Sequence, residues 1–552
     1  MQKKSMEFYD SFPNGYQKGK TKFFVVTGSV MSGVGKGTFT SALATLFQFY
    51  GLKTNMIKFD GYLNVDAGTL NPFRHGEVFV LDDGTETDLD LGTYERALNR
   101  NLSKDNYLTG GKIFNNIIKK ERKGLYLGRD VQFIPHVTGE IKNFIRKLAM
   151  KSQPDILIIE VGGTMGDIEN SYFIEAMREF KNEEGKNNVF FVNVTYIIEP
   201  PSLGEQKSKA AQLGIQKLMS VGVQPDLIIC RSTNKVRENI KEKLSLISNL
   251  PVQNIISLEN FPNLYEVPFY LEKEKLDGIL LNMLKIKKRK KIDFYNKWKK
   301  MTYGFSNPKK SVEIAITGKY TGLHDSYISI LNALEHVAAY LRCKVNIRWI
   351  ETTNIKTNED AEKTLKGVKG IIVPGGFGFR GSEGKIKCVE YVRKNNIPFL
   401  GLCLGFQIAV IEFARNVLNM KANSTEMDLN TKNPVIDLLP EQKKIDQMGA
   451  TMRLGGHDII IKEKSLAHKY YKRTFTRERF RHRYEVNPEY ITKLEEGGLL
   501  FSGIAKEDKR IMQILELPEN KFFFATQFHP EYTSRPLTPS PVFLNFIKAS
   551  LL

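Results

Sequence analysis

Two stretches of this chain combine residue types at spacings that covalent chemistry needs. In the first, GLCLG at 401–405, Cys403 lies between two glycines. Small residues at those positions permit the sharp strand-to-helix turn that exposes a nucleophile, and the N-terminus of the helix expected over 404–415 favours thiolate over thiol. Far downstream, QFHPE supplies His529 and Glu531. The imidazole can take the thiol proton and later protonate a leaving amine, and the carboxylate can orient the ring. Upstream, VPGGFGFRG offers backbone N–H groups near Gly376 for an oxyanion hole. Alone, each part has a bland reading, a buried small hydrophobe or a turn. Together, in this order, they do not.

The second stretch is FFVVTGSVMSGVGKGT at 23–38. Phe24, Val25, Val26 and Thr27 fit a short buried strand, a glycine-rich turn follows, and Phe39, Leu43, Leu46 and Phe47 recur at helical spacing. In such a turn the backbone N–H groups and the helix N-terminus face an anion, with Lys36 along phosphate oxygens. A triphosphate is the expected ligand. The stretch departs from GxxxxGK[ST] at Val30 and Gly37, so Thr38 is the candidate hydroxyl. The apolar run at 155–161 reads as a buried parallel strand. It carries Glu160 near its end and precedes GGTMGDIE, and an acid there beside a phosphate loop is a Mg²⁺-ligand position.

The elements that must hold these residues alternate along the chain. Strands are expected at 54–59, 189–197 and 226–230, with amphipathic helices at 113–120 and 141–150. The loop-rich span 61–96 carries Asp82, Asp83, Glu86, Asp88 and Asp90, carboxylates that either bind metal or stay solvated. Beyond 311 the rhythm restarts with a strand at 312–317, a helix at 327–341 and strands at 370–373, 398–402 and 522–527. The expected fold is α/β with two doubly wound Rossmann-like domains, at 21–284 and 311–552, after a polar extension at 1–20 and joined by a basic linker at 285–310.

Length and composition set bounds. The 552 residues leave room for about two to four domains. A hydrophobic fraction of 41% and a charged fraction of 26% suit a globular protein in water. No run of about 18 apolar residues offers a membrane span, and the start MQKKSMEFYDSF lacks an apolar signal region, so a cytoplasmic location is expected. Cys230, Cys343, Cys388 and Cys403 are spread singly, which predicts neither a zinc site nor a disulfide framework. The net charge of +20 admits nucleic acid, an anionic membrane or anionic small substrates. Its densest block, 285–300, lacks RNA-binding aromatic motifs and reads as a solvated linker, so neither a membrane nor a specific nucleic-acid partner is expected.

The Cys403, His529 and Glu531 constellation resembles class I glutamine amidotransferases. Joined to the upstream phosphate loop, it makes the chain similar over nearly its whole length to the CTP synthase family. The resemblance is carried by VMSGVGKG, NVDAGTLNPFRHGEVFVLDDGTETDLDLGTYER, VQFIPH, EVGGTMGDIE, GEQKSKAAQ, VPGGFGFRG, GLCLGFQ, ANSTE, GATMRLG, RHRYEVN and QFHPE. It implies an N-terminal synthetase and a C-terminal glutaminase. Glutamine is hydrolysed at Cys403 through a thioester, ammonia travels internally, and ATP phosphorylates O4 of UTP so that ammonia can displace the phosphate and give CTP. Mg²⁺ and ATP are the implied cofactor and co-substrate, GTP an activator, CTP a feedback inhibitor, and a homotetramer with nucleotide sites at its interfaces the implied assembly.

Carried over residue by residue, the resemblance assigns ATP phosphates to Gly33, Val34, Gly35, Lys36, Gly37 and Thr38, and assistance in phosphoryl transfer to Lys58. Asp90 and Glu160 match the metal ligands, and Glu259, Asn260 and Phe261 the adenine side. UTP or CTP falls to Ser32, Gln132, Asp167, Ile168, Glu169, Lys207, Ser208, Lys209, Ala210, Ala211, Gln212 and Lys243. Glutamine falls to Gly376, Leu404, Gly405, Phe406, Gln407, Glu426 and Arg483; the last two suit an α-ammonium and an α-carboxylate. His75 matches an ammonia gate, and Arg380 with Arg453, in GATMRLG, a GTP lid. Four stretches depart from the family pattern: KSKAAQ stands for KTKPTQ, FDGY for LDPY, DAGT for DPGT and MSGVGKG for VSSLGKG. Lost prolines loosen loops without removing a charged group, so altered nucleotide affinity is expected and not a different reaction. The rival readings are a related ATP-dependent amidase of the cobyric acid synthase type and a catalytically inert basic scaffold.

Overall fold

The computed structural model describes residues 12–202, 204–287, 289–318, 324–376, 378, 380–438 and 452–552. The chain forms two compact units, one from the residues up to Thr69 with Thr93–Trp298, the other from Leu70–Gly92 with Lys299–Leu552.

The first unit is built on a seven-stranded sheet of β1 (Lys22–Gly28), β2 (Thr54–Asp60), β3 (Tyr107–Thr109), β4 (Ile156–Val161), β5 (Val189–Tyr196), β6 (Leu227–Ser232) and β7 (Ile255–Glu259). Its order is β3-β2-β4-β1-β5-β6-β7, and every pairing is parallel. β2 and β4 are buried along their whole length, as expected for a sheet covered on both faces. On one side Phe23, Val25, Ile57, Phe59 and Ile159 pack with residues of helices Thr138–Ser152 and Ser171–Glu184. The register sets Val26 and Lys58 directly beside Glu160, which fixes the neighbours of that buried acid.

In the second unit, β8 (Lys310–Gly318), β9 (Cys343–Glu351), β10 (Gly370–Val373), β11 (Phe399–Leu402), β12 (Arg453–Ile461), β13 (Phe475–His482), β14 (Leu500–Ala505), β15 (Met512–Glu516) and β16 (Phe523–Thr526) form one sheet, ordered β9-β8-β10-β11-β16-β15-β14-β12-β13. Pairings from β9 to β16 are parallel. Those from β16 to β13 are antiparallel, a mixed extension that the strand-helix rhythm does not announce. The cores on this sheet hold Val373, Leu404, Phe406 and Ala525 in one cluster and Ile316, Leu402, Phe524 and Phe528 in another.

The segment Leu70–Gly92 folds with this second unit. Tyr532 Oη donates to Val78 O (3.1 Å), Arg479 Nη1 to Val80 O (3.1 Å) and Arg481 Nε to Glu86 Oε1 (2.7 Å). The Glu77 carboxylate accepts from Ser329 N at 3.0 Å, in the first turn of helix Ile328–Leu341. The basic stretch holds helix Asp293–Ser306, in which Trp298 is buried and donates to Tyr265 O at 2.9 Å. Among the described residues no helix is long and apolar enough to cross a membrane.

Candidate active sites

Cys403 sits between β11 and helix Leu404–Asn416 at φ +51°, ψ −99°. A side-chain-bearing residue at positive φ is held there only when its surroundings over-determine it, and here they do. Its N–H donates to Thr526 O at 2.7 Å. A Cβ on Gly405 would meet Val373 O at 2.0 Å, and one on Gly401 would meet Gly405 O at 2.7 Å. The flanking glycines are therefore steric requirements of the turn.

His529 follows β16, with its N–H donating to Arg479 O at 2.9 Å. The ring is buried, its Nδ1 lies 2.7 Å from Glu531 Oε1, and it stacks on Tyr532 at 4.8 Å and 13°. Burial lowers the His529 pKa, but its interactions with Glu531 and with the Cys403 sulfur outweigh that and raise the value to about 10. A raised value means that the protonated ring is stabilised beside sulfur and carboxylate, which suits a base that must hold the thiol proton. Gly375 brings the backbone in close: a Cβ there would lie 2.8 Å from His529 Cε1 and 3.4 Å from Cys403 Cβ. Cys403, His529, Glu531 and Gly376 share the lining of a cavity of about 180 Å³, together with Lys385 and Arg481. Thiol, base and orienting acid stand in the arrangement that acyl transfer through a thioester requires.

Other positions assigned to glutamine gather at the same turn. Leu404, Gly405, Phe406 and Gln407 open the helix after Cys403 and are buried. Gln407 Nε2 donates to Tyr484 O at 2.9 Å, and Glu426 Oε1 accepts from Gly378 N at 2.8 Å. Glu426 and Arg483 both act on the Tyr484 hydroxyl, whose pKa is raised by burial first and then by Glu426, with Arg483 opposing. Glu426, Arg483 and Gln407 do not line the 180 Å³ cavity. His75 is exposed at the end of the short helix Pro72–His75. Of the lid positions, Arg380 is exposed and Arg453 pairs with Glu507. Gly449, Ala450 and Thr451 of GATMRLG lie outside the described residues.

In the first unit, the loop after β1 leads to helix Lys36–Phe49, capped by Gly35 at φ +90°. Val30 stands at φ +78°, the left-handed backbone for which the usual pattern supplies glycine. Ser32 and Gly33 are exposed, Val34 is buried, and Gly37 and Thr38 are half-buried in the first turn. Lys36 is nearly buried and its Nζ donates to Gly163 O at 2.7 Å. A Cβ on Gly28 would lie 2.8 Å from that Nζ, so a side chain at the end of β1 would displace Lys36 from this position.

Beside the loop, Lys58 Nζ lies 3.1 Å from Glu160 Oε1 and 3.8 Å from Asp60 Oδ1, all three buried. Tyr94 Oη donates to Glu160 Oε2 at 2.5 Å. Buried charges persist only when paired and hydrogen-bonded, and these are. Among the described residues no group of three His, Cys, Asp or Glu could hold a metal alone. Mg²⁺ in nucleotide enzymes takes one or two carboxylates plus phosphate oxygens, so the hard oxygen of Glu160 fits it chemically. Asp90 is half-buried in the first turn of helix Leu89–Leu98, one turn before Tyr94.

A cavity of about 470 Å³ lies against the loop, lined by Gly28, Gly163, Thr164, Asp167, Ile168 and Tyr172 among others. Asp167 and Ile168 are exposed at its rim, and Glu169 is exposed but does not line it. Ser32, Gln132, Lys243 and the run Lys207, Ser208, Lys209, Ala210, Ala211, Gln212 do not line it. Gln132 Nε2 donates to Asp130 (2.5 Å), Gln212 Nε2 to Ser208 Oγ (2.9 Å), Lys207 pairs with Glu205, and Lys243 is exposed. The adenine-side trio is tied to the loop by Arg231, which sequence reasoning missed. Arg231 donates to Glu259 O (2.6 Å) and Asn260 Oδ1 (2.8 Å), and its Nε would lie 3.0 Å from a Cβ on Gly35. Phe261 packs edge-on to Tyr270 at 4.9 Å. Tyr94, Arg481 and Tyr532 were also missed; only Tyr532, three residues after His529, had a spacing that could have signalled it.

A thiol acyl-transfer site on a mixed α/β sheet, in one chain with a phosphate-cradling loop on a parallel sheet, defines the class of glutamine-dependent synthetases. Residues 22–286 match the model of the CTP synthase N-terminus and residues 323–549 that of class-I glutamine amidotransferases. CTP synthases of Pyrococcus abyssi and Thermococcus gammatolerans are each 51% identical over 531 residues, covering 96% of this chain and 98% of theirs. The glutaminase domain of Trypanosoma brucei CTPS with bound acivicin is 38% identical with a TM-score of 0.41, covering 43% of this chain and 93% of that one. The chain belongs to the CTP synthase family, and its reaction is the ATP-dependent, Mg²⁺-requiring amination of UTP to CTP with nitrogen from glutamine.

Proposed function

We propose that this reaction is divided between two sets of residues, with glutamine hydrolysis carried by 311–552, UTP amination by 21–284 apart from the segment Leu70–Gly92 that folds with the second unit, and 285–310 connecting them. In the glutaminase, Cys403 attacks the glutamine amide carbon while His529 takes the thiol proton and returns it to the departing ammonia. Glu531 holds the ring and stabilises its charge. N–H groups at Gly376 and Leu404 receive the oxyanion, while Glu426 and Arg483 bind the amino-acid end, with Gly405, Phe406 and Gln407 shaping the pocket. The observation that carries this half is His529 hydrogen-bonded to Glu531 at 2.7 Å and lining one cavity with the strained Cys403.

In the synthetase, Gly33, Val34, Gly35, Lys36, Gly37 and Thr38 bind ATP phosphates, and Glu259, Asn260 and Phe261 its base. Glu160, with Asp90 assigned by resemblance, holds Mg²⁺, which when bound neutralises charge on the transferring phosphoryl group. Lys58, held beside Glu160, steadies the same charge. Ser32, Gln132, Asp167, Ile168, Glu169, Lys207, Ser208, Lys209, Ala210, Ala211, Gln212 and Lys243 bind UTP, or CTP as feedback inhibitor. GTP activates glutaminolysis through a lid that includes Arg380 and Arg453, and His75 gates the ammonia. The active form is a cytoplasmic homotetramer. The test follows UTP absorbance with ATP, Mg²⁺ and either glutamine or ammonia, with and without GTP. The reading expects CTP from both nitrogen sources and GTP stimulation with glutamine alone. Equal stimulation with ammonia would contradict the lid assignment.

A further inference from the structure

Apart from both sites, helices Gly110–Arg122 and Thr138–Ser152 of the first unit border a groove of about 290 Å³. One wall is formed by positions 112, 115, 116 and 119, the other by 140, 143, 144 and 147. Each set follows i, i+3, i+4, i+7 and so forms one stripe of its helix. Stripes that line the space between neighbouring helices are normally apolar, yet these carry three lysines, three asparagines, one glutamate and one phenylalanine.

The glutamate is already neutralised, since Glu140 pairs with Lys120 and accepts from Asn116 Nδ2 at 3.1 Å. Lys112 Nζ donates to neutral carbonyls, Lys104 O at 3.1 Å and Tyr107 O at 3.2 Å. Lys119 and Lys147 are exposed and make no hydrogen bond or ion pair among the described residues, and the amides of Asn115 and Asn143 are equally unengaged. The groove therefore combines net positive charge, open amide donors and an apolar floor at Leu108, Ile113 and Phe144. We propose that it binds a small phosphorylated metabolite, with phosphoryl oxygens between Lys119 and Lys147, hydrogen bonds from Asn115 and Asn143, and the carbon skeleton against Phe144. Lysine serves such oxyanions as a point charge. The volume lies near the small end of ligand pockets, roughly 300–1,000 Å³, which favours a compact molecule over a nucleic-acid strand. The inference stands apart from the assignments at Cys403 and Lys36.

Inorganic pyrophosphate is the probe, titrated calorimetrically into the full chain carrying Lys36→Ala, so that the phosphate loop does not mask the groove. Binding at the groove is read as the component that the groove replacements weaken, since the UTP and GTP positions keep their own affinity for pyrophosphate. Adding Lys119→Ala with Lys147→Ala should weaken it by about tenfold or more, Asn143→Asp should weaken it similarly by adding negative charge, and raising ionic strength from about 0.05 to 0.3 M should also weaken it. In the unsubstituted chain, pyrophosphate should slow hydrogen exchange in 110–122 and 138–152, a readout that does not depend on any variant folding. Ammonia-dependent CTP formation by Lys119→Ala/Lys147→Ala, without pyrophosphate, should stay within about twofold of the parent. Absence of binding and of protection, binding unchanged by the lysine replacements, or capture of single-stranded RNA but not pyrophosphate would overturn the proposal.

Discussion

The turn at Cys403 and the turn before Lys36 both join a buried strand to a helix, but they are built to opposite ends. Around Cys403 the backbone is closely packed: Gly405 touches the backbone of β10, Gly401 touches Gly405, and the Cys403 N–H is tied to β16. In the phosphate loop Met31 is 41% exposed, and a Cβ on Gly33 would meet nothing within 4 Å. That loop is held at its two ends, where Ser29 N donates to Val194 O at 2.9 Å, Lys36 reaches Gly163 and Gly35 meets Arg231, while its middle is open. A covalent nucleophile must be aligned before its substrate arrives. A loop that surrounds a polyanion gains its order from the ligand and so can remain open without it.

Substitutions can break this contrast or sharpen it. Lys36→Ala should have the broadest effect, reducing CTP formation from glutamine and from ammonia alike by about a hundredfold or more, read by UTP-to-CTP absorbance; substantial turnover would remove the phosphate contact. Gly405→Ala should abolish glutaminase activity and cost the second unit about 2 kcal/mol or more. By contrast Gly33→Ala, strained only by its φ of +71°, should cost about 1 kcal/mol. Denaturation midpoints compare the two, and equal losses would refute the contrast.

A pH test probes the rigid side. Glu478, fully buried on β13, accepts from Thr533 Oγ1 (2.8 Å) and Tyr471 Oη (3.0 Å), and burial raises its pKa to about 7. Below about 4.5 both folded and unfolded states hold the proton, so the group costs nothing. As pH rises from about 4.5 to about 7 the unfolded state ionises while the folded one does not, so stability falls by on the order of 3 kcal/mol and changes no further above that. Glu478→Gln should therefore gain stability over the parent at pH 8 but not at pH 4, and a gain independent of pH would contradict the assignment. Tyr532→Phe should have the smallest effect. It keeps the stack on His529 and loses the bond to Val78 O, so glutaminase kcat should fall by about three- to tenfold with KM for glutamine nearly unchanged.

How much of this was legible in advance depends on the range of the interactions. The elbow could be read because Gly401, Cys403 and Gly405 answer a steric demand within one turn, and the strand at 155–161 because a strand covered on both faces must be continuously apolar. The departure of Val30 from the glycine pattern was visible, but its left-handed backbone was not. Long-range pairings left no local trace: Tyr532 meets Val78 across 454 residues and Arg477 meets Asp82 across 395. Sequence reasoning thus put the span 61–96 within one domain, whereas Leu70–Gly92 folds with the glutaminase. Arg231 was invisible for the same reason, since its bonds at the end of β7 depend on which strands become neighbours.

The central claim, that a thiol in one unit supplies nitrogen to a phosphate-activated pyrimidine bound by the other, is tested most directly by Cys403→Ala assayed with two nitrogen sources. With glutamine, CTP formation should fall by at least about a thousandfold. With added ammonium at alkaline pH it should stay within about twofold of the parent, because the residues around Lys36 are untouched. Loss of activity with both sources, or continued turnover with glutamine, would contradict the account.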